Sequence, residues 1–577
     1  MTTESARHDG GSGSASPRRH RADGSWARSL TAVPDWLAVI ALVVVGAIVP
    51  LAIAWHFGAL GIPRNDDWAF LLAVFWLARD HGFYFYQWGA MTLVGQVVLA
   101  VPTALLLHRP ITVLQLEVLA SGVVCLVAVY DIGRHLLSRR AALFVALTVA
   151  ASPLWGPLAP TFMTDVPGLA LAMVCLALGV RAVTADGLRP GLYVLSLAAG
   201  LMAFSIREYM FVAPVAVGIV ATWASSGRDR RARTIAITGL VVAIIVALVF
   251  REWARHLPGR ENPMYALTSA NLRHGASDLF RSIPTVGLLI APAVLLARPV
   301  ALLRHSFGAA RRTSVAVAVL VALITVEATL HGDIAIGNYM AANGTLGTDT
   351  MRGTRPPLLG DPLPAALAFV GAAAFGVLLF AAIPPLFALA RRVRHRDVRP
   401  PESLGTAMLA LALVGTVAAI AVPPALGNSL QDRYLLPLVP LLGILVVRAG
   451  QTTQPRQSVR ARTVAVAGLV GLAALGLVYT ANSASFDATR WAVAESAARS
   501  VGDPLLVDGG FEWVNYHYER PAFVRPDDPA HDRFCVAARI EADRPRSTDE
   551  TVVSAKPVWG IGGPQAWIVA RRVADCP

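Results

Sequence analysis

The stretch "GIPRNDDWAFLLAVFWLARDHGFYFYQW", residues 61–88, follows directly on the first long apolar run of the chain. It opens with two adjacent carboxylates, Asp66 and Asp67, and then becomes almost wholly hydrophobic. The run before it, residues 36–55, has the length that a membrane-spanning helix needs. We therefore expect a charged loop at a membrane boundary, followed by an apolar juxtamembrane helix. The aromatic residues between Trp68 and Trp88 are typical of an interfacial belt.

The composition places the whole chain in a membrane. Of its 577 residues 55% are hydrophobic and only 15% are charged, and the mean hydropathy is +0.56. A soluble domain cannot hide that much apolar surface, so the chain is predicted to be an all-α polytopic membrane protein. The net charge of +13 does not indicate nucleic-acid binding, because the basic residues are dispersed in short loops between apolar runs.

Fourteen apolar segments have approximately the length of a membrane span. They lie at 35–56, 89–107, 112–133, 141–159, 166–184, 190–206, 209–225, 234–250, 282–298, 314–330, 364–390, 404–424, 433–448 and 463–481.

The arginine clusters between these segments predict the topology. Clusters such as Arg134/Arg139/Arg140 and those at 228–233, 298–312 and 391–399 are separated by pairs of segments, so they share one side, which the positive-inside rule makes cytoplasmic. An even number of crossings must then precede Arg134. We interpret 89–107, with its internal Gly95, Gln96 and Pro102, as an interfacial or re-entrant outer helix. The prediction is about thirteen crossings, with the N-terminus inside and the C-terminus outside.

The chain divides into three predicted parts. Residues 1–33 are polar and are predicted to be a disordered cytoplasmic N-terminus, residues 34–482 the transmembrane domain, and residues 483–577 a small extracytoplasmic α/β domain. In the last part we expect a helix at 488–500, a strand within 503–518 and a strand at 565–573. Cys535 and Cys576 lie there, and either a disulfide or two free thiols fits the sequence.

With this topology, acidic residues gather at the outer face. They are Asp66, Asp67, Asp165, Glu208, Glu327 and Asp432. Charges at the edge of a bilayer are costly and usually functional or paired. Ordinary structural roles also fit: Asn65 could cap the helix after it, Asp165 could be a helix-start acid, and Arg207 could pair with its neighbour Glu208. A carrier would more naturally place its acids near mid-span, so an outer-face enzyme is favoured.

Several motifs in order carry a family resemblance. The acid pair after the first span is followed by "GRHLLSRRAAL" at 133–143, "SPLWGPLAPTFMTDVPGLALAMV" at 152–174 and "DRYLLPLVPLL" at 432–442. This order resembles the GT-C superfamily of membrane glycosyltransferases. It is most similar to the family 39 group, which includes protein O-mannosyltransferases and aminoarabinose-lipid A transferases. The similarity covers residues 35–220 and, locally, the late "RYLLP" motif.

The resemblance implies a reaction and a site. Such enzymes transfer a sugar, with inversion, from a polyprenyl-phosphate carrier to an acceptor on the outer side. By position, Asp66 matches the catalytic base and Asp67 its companion, which would orient the acceptor or an ion. The implied substrate-binding residues are Asp165, the family's second acid, Arg207, which would face the carrier phosphate, Arg433, which would bind the donor, and their neighbours Glu208 and Tyr434.

The resemblance leaves several points open. Gln115 stands where the family usually has an arginine. A divalent cation held by carboxylates and phosphate oxygens is compatible with the site, although no ligand cluster in the sequence demands one. Mannose and arabinose are both candidate sugars, and the acceptor could be a protein, a lipid or an envelope glycan. The alternative functions are a transporter or flippase for lipid-linked glycans and a non-catalytic cell-envelope assembly protein.

Overall fold

The structure is a computed structural model that describes residues 34–576 with internal gaps. The gaps are 80–81, 87–90, 108–109, 185–186, 226–228, 261–265, 332–336, 346–349, 395–403, 454–458, 519–533 and 547. The predicted disordered N-terminus, 1–33, lies outside the described residues, as does Trp88 at the end of the predicted aromatic belt.

Helices make up most of the described chain. They are α1 (Asp35–Phe57, with a π-helical turn at Val44–Ile48), α2 (Asp67–Ala78), α3 (Val94–Leu107), α4 (Ile111–Leu136), α5 (Arg139–Ala150), α6 (Asp165–Ala182), α7 (Pro190–Ile206), α8 (Val212–Ala224), α9 (Arg230–Arg255), α10 (Ser269–Leu296), α11 (Pro299–Ala309), α12 (Arg311–His331), α13 (Leu363–Arg394), α14 (Leu404–Ala425), α15 (Leu438–Thr453), α16 (Val459–Val501) and α17 (Phe511–Tyr518).

The helical body is that of a multi-pass membrane protein. In the described part of the chain, nine helices are long and apolar enough to cross a membrane, and four shorter apolar helices accompany them. Each of the fourteen predicted apolar segments overlaps one of the helices. Together with the small C-terminal sheet, this architecture confirms the predicted fold class.

Close helix packing depends on small residues. A Cβ atom added at Gly287 of α10 would lie 1.8 Å from the carbonyl oxygen of Gly371 in α13. The two backbones therefore touch, which is how small residues let membrane helices associate in the absence of a hydrophobic driving force between them.

The helix α2 lies inside the protein and not in an interfacial belt. Trp68 and Phe70 are fully buried, and Phe75 is 3% exposed. The aromatic-belt prediction is wrong for these residues because α2 packs between α3 and the C-terminal helix α17. The ring of Trp68 meets that of Phe511, with 5.8 Å between their centroids. This burial fixes the acid pair that begins α2.

The C-terminal sheet is built on the end of α16. Its strands are β3 (Arg352–Gly353), β4 (Val507–Asp508), β5 (Val536–Glu541), β6 (Val552–Gly560) and β7 (Gly563–Arg572), while β1 (Val183–Thr184) and β2 (Gly187–Leu188) pair elsewhere.

The order in this sheet is β3-β5-β7-β6, with β4 also paired to β5. Strands β3 and β4 run parallel to β5, and the hairpin of β6 and β7 is antiparallel. A disulfide joins Cys535 to Cys576.

Helix α16 runs without a break through the predicted domain boundary at 482/483, and β3 comes from the loop before α13. The C-terminal part is therefore joined tightly to the helical body.

The predicted strand within 503–518 is wrong over most of its length. Only Val507 and Asp508 pair as a strand, and Phe511–Tyr518 forms α17. Gly510 has a φ of +93°, a left-handed conformation that ends the strand direction before the helix begins. The predicted strand at 565–573 is confirmed by β7, and the predicted helix at 488–500 is the last part of α16.

Candidate active site

The acid loop, residues 61–67, precedes α2. Asn65 has a φ of +53°, so the backbone reverses sharply just before the two carboxylates. Helix α2 begins at Asp67 without a side-chain cap, and the Asn65 amide donates instead to the hydroxyl of Tyr339 at 2.6 Å. The capping interpretation of Asn65 is therefore wrong, and the residue ties the acid loop to the segment around Tyr339.

Asp66 is paired with the arginine of the late "RYLLP" motif. Its Oδ2 lies 2.7 Å from Nη2 of Arg433, and both side chains are almost completely buried. Within the described residues, the Nε and Nη1 atoms of Arg433 have no hydrogen-bond partner. A buried guanidinium with two free N–H donors is suited to bind an anion, since unsatisfied buried donors are costly.

Asp165 is paired with Arg207 in the same way. Oδ2 of Asp165 lies 2.8 Å from Nη2 of Arg207, and both side chains are buried. The predicted local pair of Arg207 with Glu208 is wrong, because the backbone at Arg207 is extended at the end of α7 and adjacent side chains then diverge. Glu208 pairs with Arg260 at 3.3 Å instead.

Tyr434 brings the two ion pairs together. The guanidinium carbons of Arg207 and Arg433 lie 5.3 Å and 5.5 Å from the centre of its ring, within the range of cation–π attraction. Asp165 also lies within electrostatic reach of Arg433. We call Asp66, Asp165, Arg207, Arg433 and Tyr434 the paired-charge cluster. All five were predicted site residues, and residues distant in sequence meet here.

Asp67 has surroundings different from those of Asp66. It is fully buried, and its Oδ1 accepts a hydrogen bond from the backbone amide of Arg64. Its Oδ2 accepts from the amide of Phe162 at 3.2 Å. Adjacent residues at a helix start point in different directions, so the two acids cannot share one task. The position of Asp67 is that of a residue that holds the acid loop, and its role towards the acceptor stays a prediction.

Gln115 supports the same loop from α4. Its Nε2 donates to the carbonyl oxygen of Ile62 at 3.0 Å, and its Oε1 accepts from the amide of Gly61 at 2.9 Å. Gln115, which stands where the related family usually has an arginine, therefore binds the backbone of the acid loop and lies outside the paired-charge cluster. That Arg207 or Arg433 supplies the positive charge in its place stays a prediction.

Tyr339 was not among the predicted site residues, although it contacts the acid loop. Its hydroxyl meets Asn65, while its backbone amide and that of Met340 donate to Oδ2 of Asp432 at 2.9 Å and 2.7 Å. Asp432, the residue before the "RYLLP" motif, thus fixes the segment that lies against the acid loop. No periodicity or motif marks Tyr339, so only the fold brings it to the site.

The cluster does not form a metal-binding set. Among the residues that the structure describes, no three His, Cys, Asp or Glu side chains are grouped so that they could hold a metal ion. Asp66 and Asp165 each hold a guanidinium. This donor set fits an anion held by arginine, and a divalent cation held by carboxylate and phosphate oxygens stays a prediction.

Comparison of the sequence with protein families supports the resemblance. Residues 83–253 match the family model described as dolichyl-phosphate-mannose-protein mannosyltransferase. This match confirms the predicted resemblance to membrane glycosyltransferases over that segment, which contains Asp165 and Arg207. A comparison with curated proteins finds no match.

Solved structures of two membrane proteins are similar over most of the chain. ArnT from Cupriavidus metallidurans in the apo state is 14% identical with a TM-score of 0.43, and the match covers 92% of this chain and 97% of that one. ArnT bound to undecaprenyl phosphate is 13% identical, with a TM-score of 0.41 and coverage of 92% and 98%. The archaeal oligosaccharyltransferase AglB from Archaeoglobus fulgidus, in complex with an inhibitory peptide and a dolichol-phosphate, is 13% identical, with a TM-score of 0.42 and coverage of 87% and 64%.

Proposed function

We propose that this protein transfers a sugar from a polyprenyl-phosphate donor to an acceptor at the outer face of the membrane, with Asp66 as the general base. The observation that carries the proposal is the paired-charge cluster. It brings together two buried ion pairs, Asp66 with Arg433 and Asp165 with Arg207, and both arginines keep N–H groups without a partner among the described residues. The family match over residues 83–253 supports the same class of reaction.

The reaction needs one displacement. The Asp66 carboxylate takes the proton of the acceptor hydroxyl as the acceptor oxygen forms a bond to the anomeric carbon. The bond from that carbon to the phosphate oxygen breaks, and its electron pair leaves with the lipid phosphate. A single displacement inverts the anomeric configuration. A positioned base contributes about 10²–10⁴-fold to such a step.

The arginines would stabilise the leaving phosphate. Arg433 has Nε and Nη1 available while Nη2 holds Asp66, and Arg207 has Nε available while Nη2 holds Asp165. Preorganised donors in a buried site are worth more than in water because they need no reorganisation as charge develops. Tyr434 keeps the two guanidinium planes beside one another.

Contacts at the two ends of the helices support an outer-face site. Asp35, at the start of α1, lies 3.3 Å from Arg134 near the end of α4, so both belong to one side and an even number of crossings separates them. The disulfide between Cys535 and Cys576 supports an extracytoplasmic C-terminus.

The test uses membranes that contain the wild-type chain or the Asp66→Asn variant. They are supplied with a panel of radiolabelled polyprenyl-phosphate sugars, with mannose and arabinose first. We expect label from one donor to enter an acceptor in wild-type membranes and not in the variant. A well-folded wild type that consumes no donor would contradict the proposal and favour the flippase alternative, which a lipid-linked glycan translocation assay would then address.

A further inference from the structure

A row of four buried charged side chains runs from the acid loop into the C-terminal domain. Nε of Arg64 lies 2.8 Å from Oδ2 of Asp487 in α16. Oδ1 of Asp487 lies 3.3 Å from Nη2 of Arg490, and Nη1 of Arg490 contacts Oε2 of Glu512 in α17. Each of these side chains is at most 2% exposed. We call them the buried charge row.

At one end of the row, Arg64 belongs to the acid loop and lies next to Asn65, whose backbone is strained. Arg64 stands one residue before Asn65, whose φ is +53°, and its backbone amide donates to Asp67. Its Nη2 also donates to the hydroxyl of Ser483 at 3.0 Å. A left-handed residue other than glycine persists only where its surroundings hold it. The Arg64 side chain supplies that hold on one side, and the bond from Asn65 to Tyr339 supplies it on the other.

The other end lies in a helix that also touches α2. Glu512 is fully buried in α17, and its neighbour Phe511 packs edge-on against Trp68. The C-terminal domain thus contacts both sides of the acid pair. Asp487 pairs with Arg64 before the two acids, and Phe511 packs against Trp68 after them.

The row is poorly suited to a purely stabilising role. It has two cations and two anions, so its charges balance, but Nη1 of Arg64, Nε of Arg490 and Oε1 of Glu512 have no hydrogen-bond partner among the described residues. Well-packed apolar side chains often replace buried ion pairs without loss of stability. A row of directional contacts fixes the position of its terminal side chain, Arg64, in a way that apolar packing does not.

We propose that Asp487 and Glu512 are positioning residues that hold Arg64, and through it the acid loop, where Asp66 meets Arg433. The inference rests on the proposed function for the role of Asp66, but the loop geometry it describes is independent of any substrate. Under this proposal, the C-terminal domain helps to position the residues of the active site.

Hydrogen exchange of the purified full-length protein tests the proposal without a substrate. The amides of residues 61–68 are compared in wild type, Asp487→Asn and Glu512→Gln. The control is Glu541→Gln, which removes an ion pair with Arg571 elsewhere in the same domain. We expect exchange in residues 61–68 to be about tenfold faster or more in both row variants and unchanged in the control.

Kinetics provide the second measurement. The measurement uses the sugar donor that the transfer assay identifies. The row variants should lower kcat about tenfold or more while the donor KM changes little, because a misplaced base slows the chemical step and not the binding of the lipid donor. Glu512→Gln keeps the shape of the side chain and remains informative if Asp487→Asn does not fold. Unchanged exchange in residues 61–68 of a folded Glu512→Gln protein would overturn the proposal. Faster exchange without any transfer by wild type would support the positioning role and refute the proposed function.

Discussion

Oδ2 of Asp66 lies 2.7 Å from Nη2 of Arg433, with both side chains almost completely buried. The predicted base and the predicted donor-binding arginine are therefore one unit. Since Nε and Nη1 of Arg433 have no partner in the described structure, a phosphate oxygen could accept a hydrogen bond from either of them without breaking the pair. In the proposed reaction, the charge of the base would then depend on whether the donor phosphate is bound.

Asp66→Asn should lower the transfer rate by about 10²-fold or more, because the amide cannot take the proton of the acceptor. Initial rates with saturating donor measure this loss. Asp543→Asn, at an exposed position in the C-terminal domain, is the matched control and should keep the wild-type rate. A well-folded Asp66→Asn protein with normal rates would show that another group is the base.

Arg433→Lys should raise the donor KM by about tenfold or more. Lysine keeps a positive charge near Asp66 but loses the planar fork that can hold Asp66 and a phosphate at the same time. The measurement is the donor KM, with Arg539→Lys at an exposed site of β5 as the control. A KM equal to that of wild type would mean that the phosphate is held elsewhere, and Arg207→Lys would then be the next variant.

Tyr434 should act through its ring. Tyr434→Phe keeps the face that lies beside Arg207 and Arg433, so transfer should stay within about threefold of wild type. Tyr434→Leu removes that face and should reduce kcat/KM by about tenfold or more, since a desolvated cation–π contact is worth ~2 kcal/mol. If Tyr434→Phe is as impaired as Tyr434→Leu, the hydroxyl and not the ring is needed, which points to direct contact with a substrate.

The apolar segments were predictable because length and hydropathy are local properties. The hydropathy of a run such as 234–250 does not depend on contacts with other segments, and the run lies within α9 as expected. The acidic residues near the ends of these segments could be listed for the same reason, since charges at a membrane boundary are usually functional or paired. The site roles of Arg207, Arg433 and Tyr434 were implied by the family resemblance and not by hydropathy or charge.

The pairing of those charges could not be predicted. Neighbours in sequence suggested Arg207 with Glu208, whereas the fold joins Arg207 to Asp165 and Glu208 to Arg260. Tyr339 carries no pattern that would mark it. These contacts depend on how helices distant in sequence are arranged, and one sequence contains no direct measure of that arrangement.

Glu512 should make the stability of the protein depend on pH. Burial raises its pKa from the ordinary 4.5 to about 7, although the contact with Arg490 opposes the shift. Between these two values the folded protein binds a proton that the unfolded chain releases, so the free energy of unfolding should fall as the pH rises from about 4.5 to about 7. Above about pH 8 Glu512 is deprotonated in both states, and this contribution changes no further.

The melting temperature of wild type relative to Glu512→Gln isolates that contribution, because glutamine has the same shape and does not titrate. The melting temperature of wild type should fall relative to that of the variant as the pH rises from 5 to about 8 and should then differ from it by a constant amount. A constant difference over the whole range would mean that Arg490 keeps Glu512 ionised in the folded state throughout. The buried charge row would then be fully charged over the whole pH range measured, whereas a slope would place a proton on Glu512 under mildly acidic conditions.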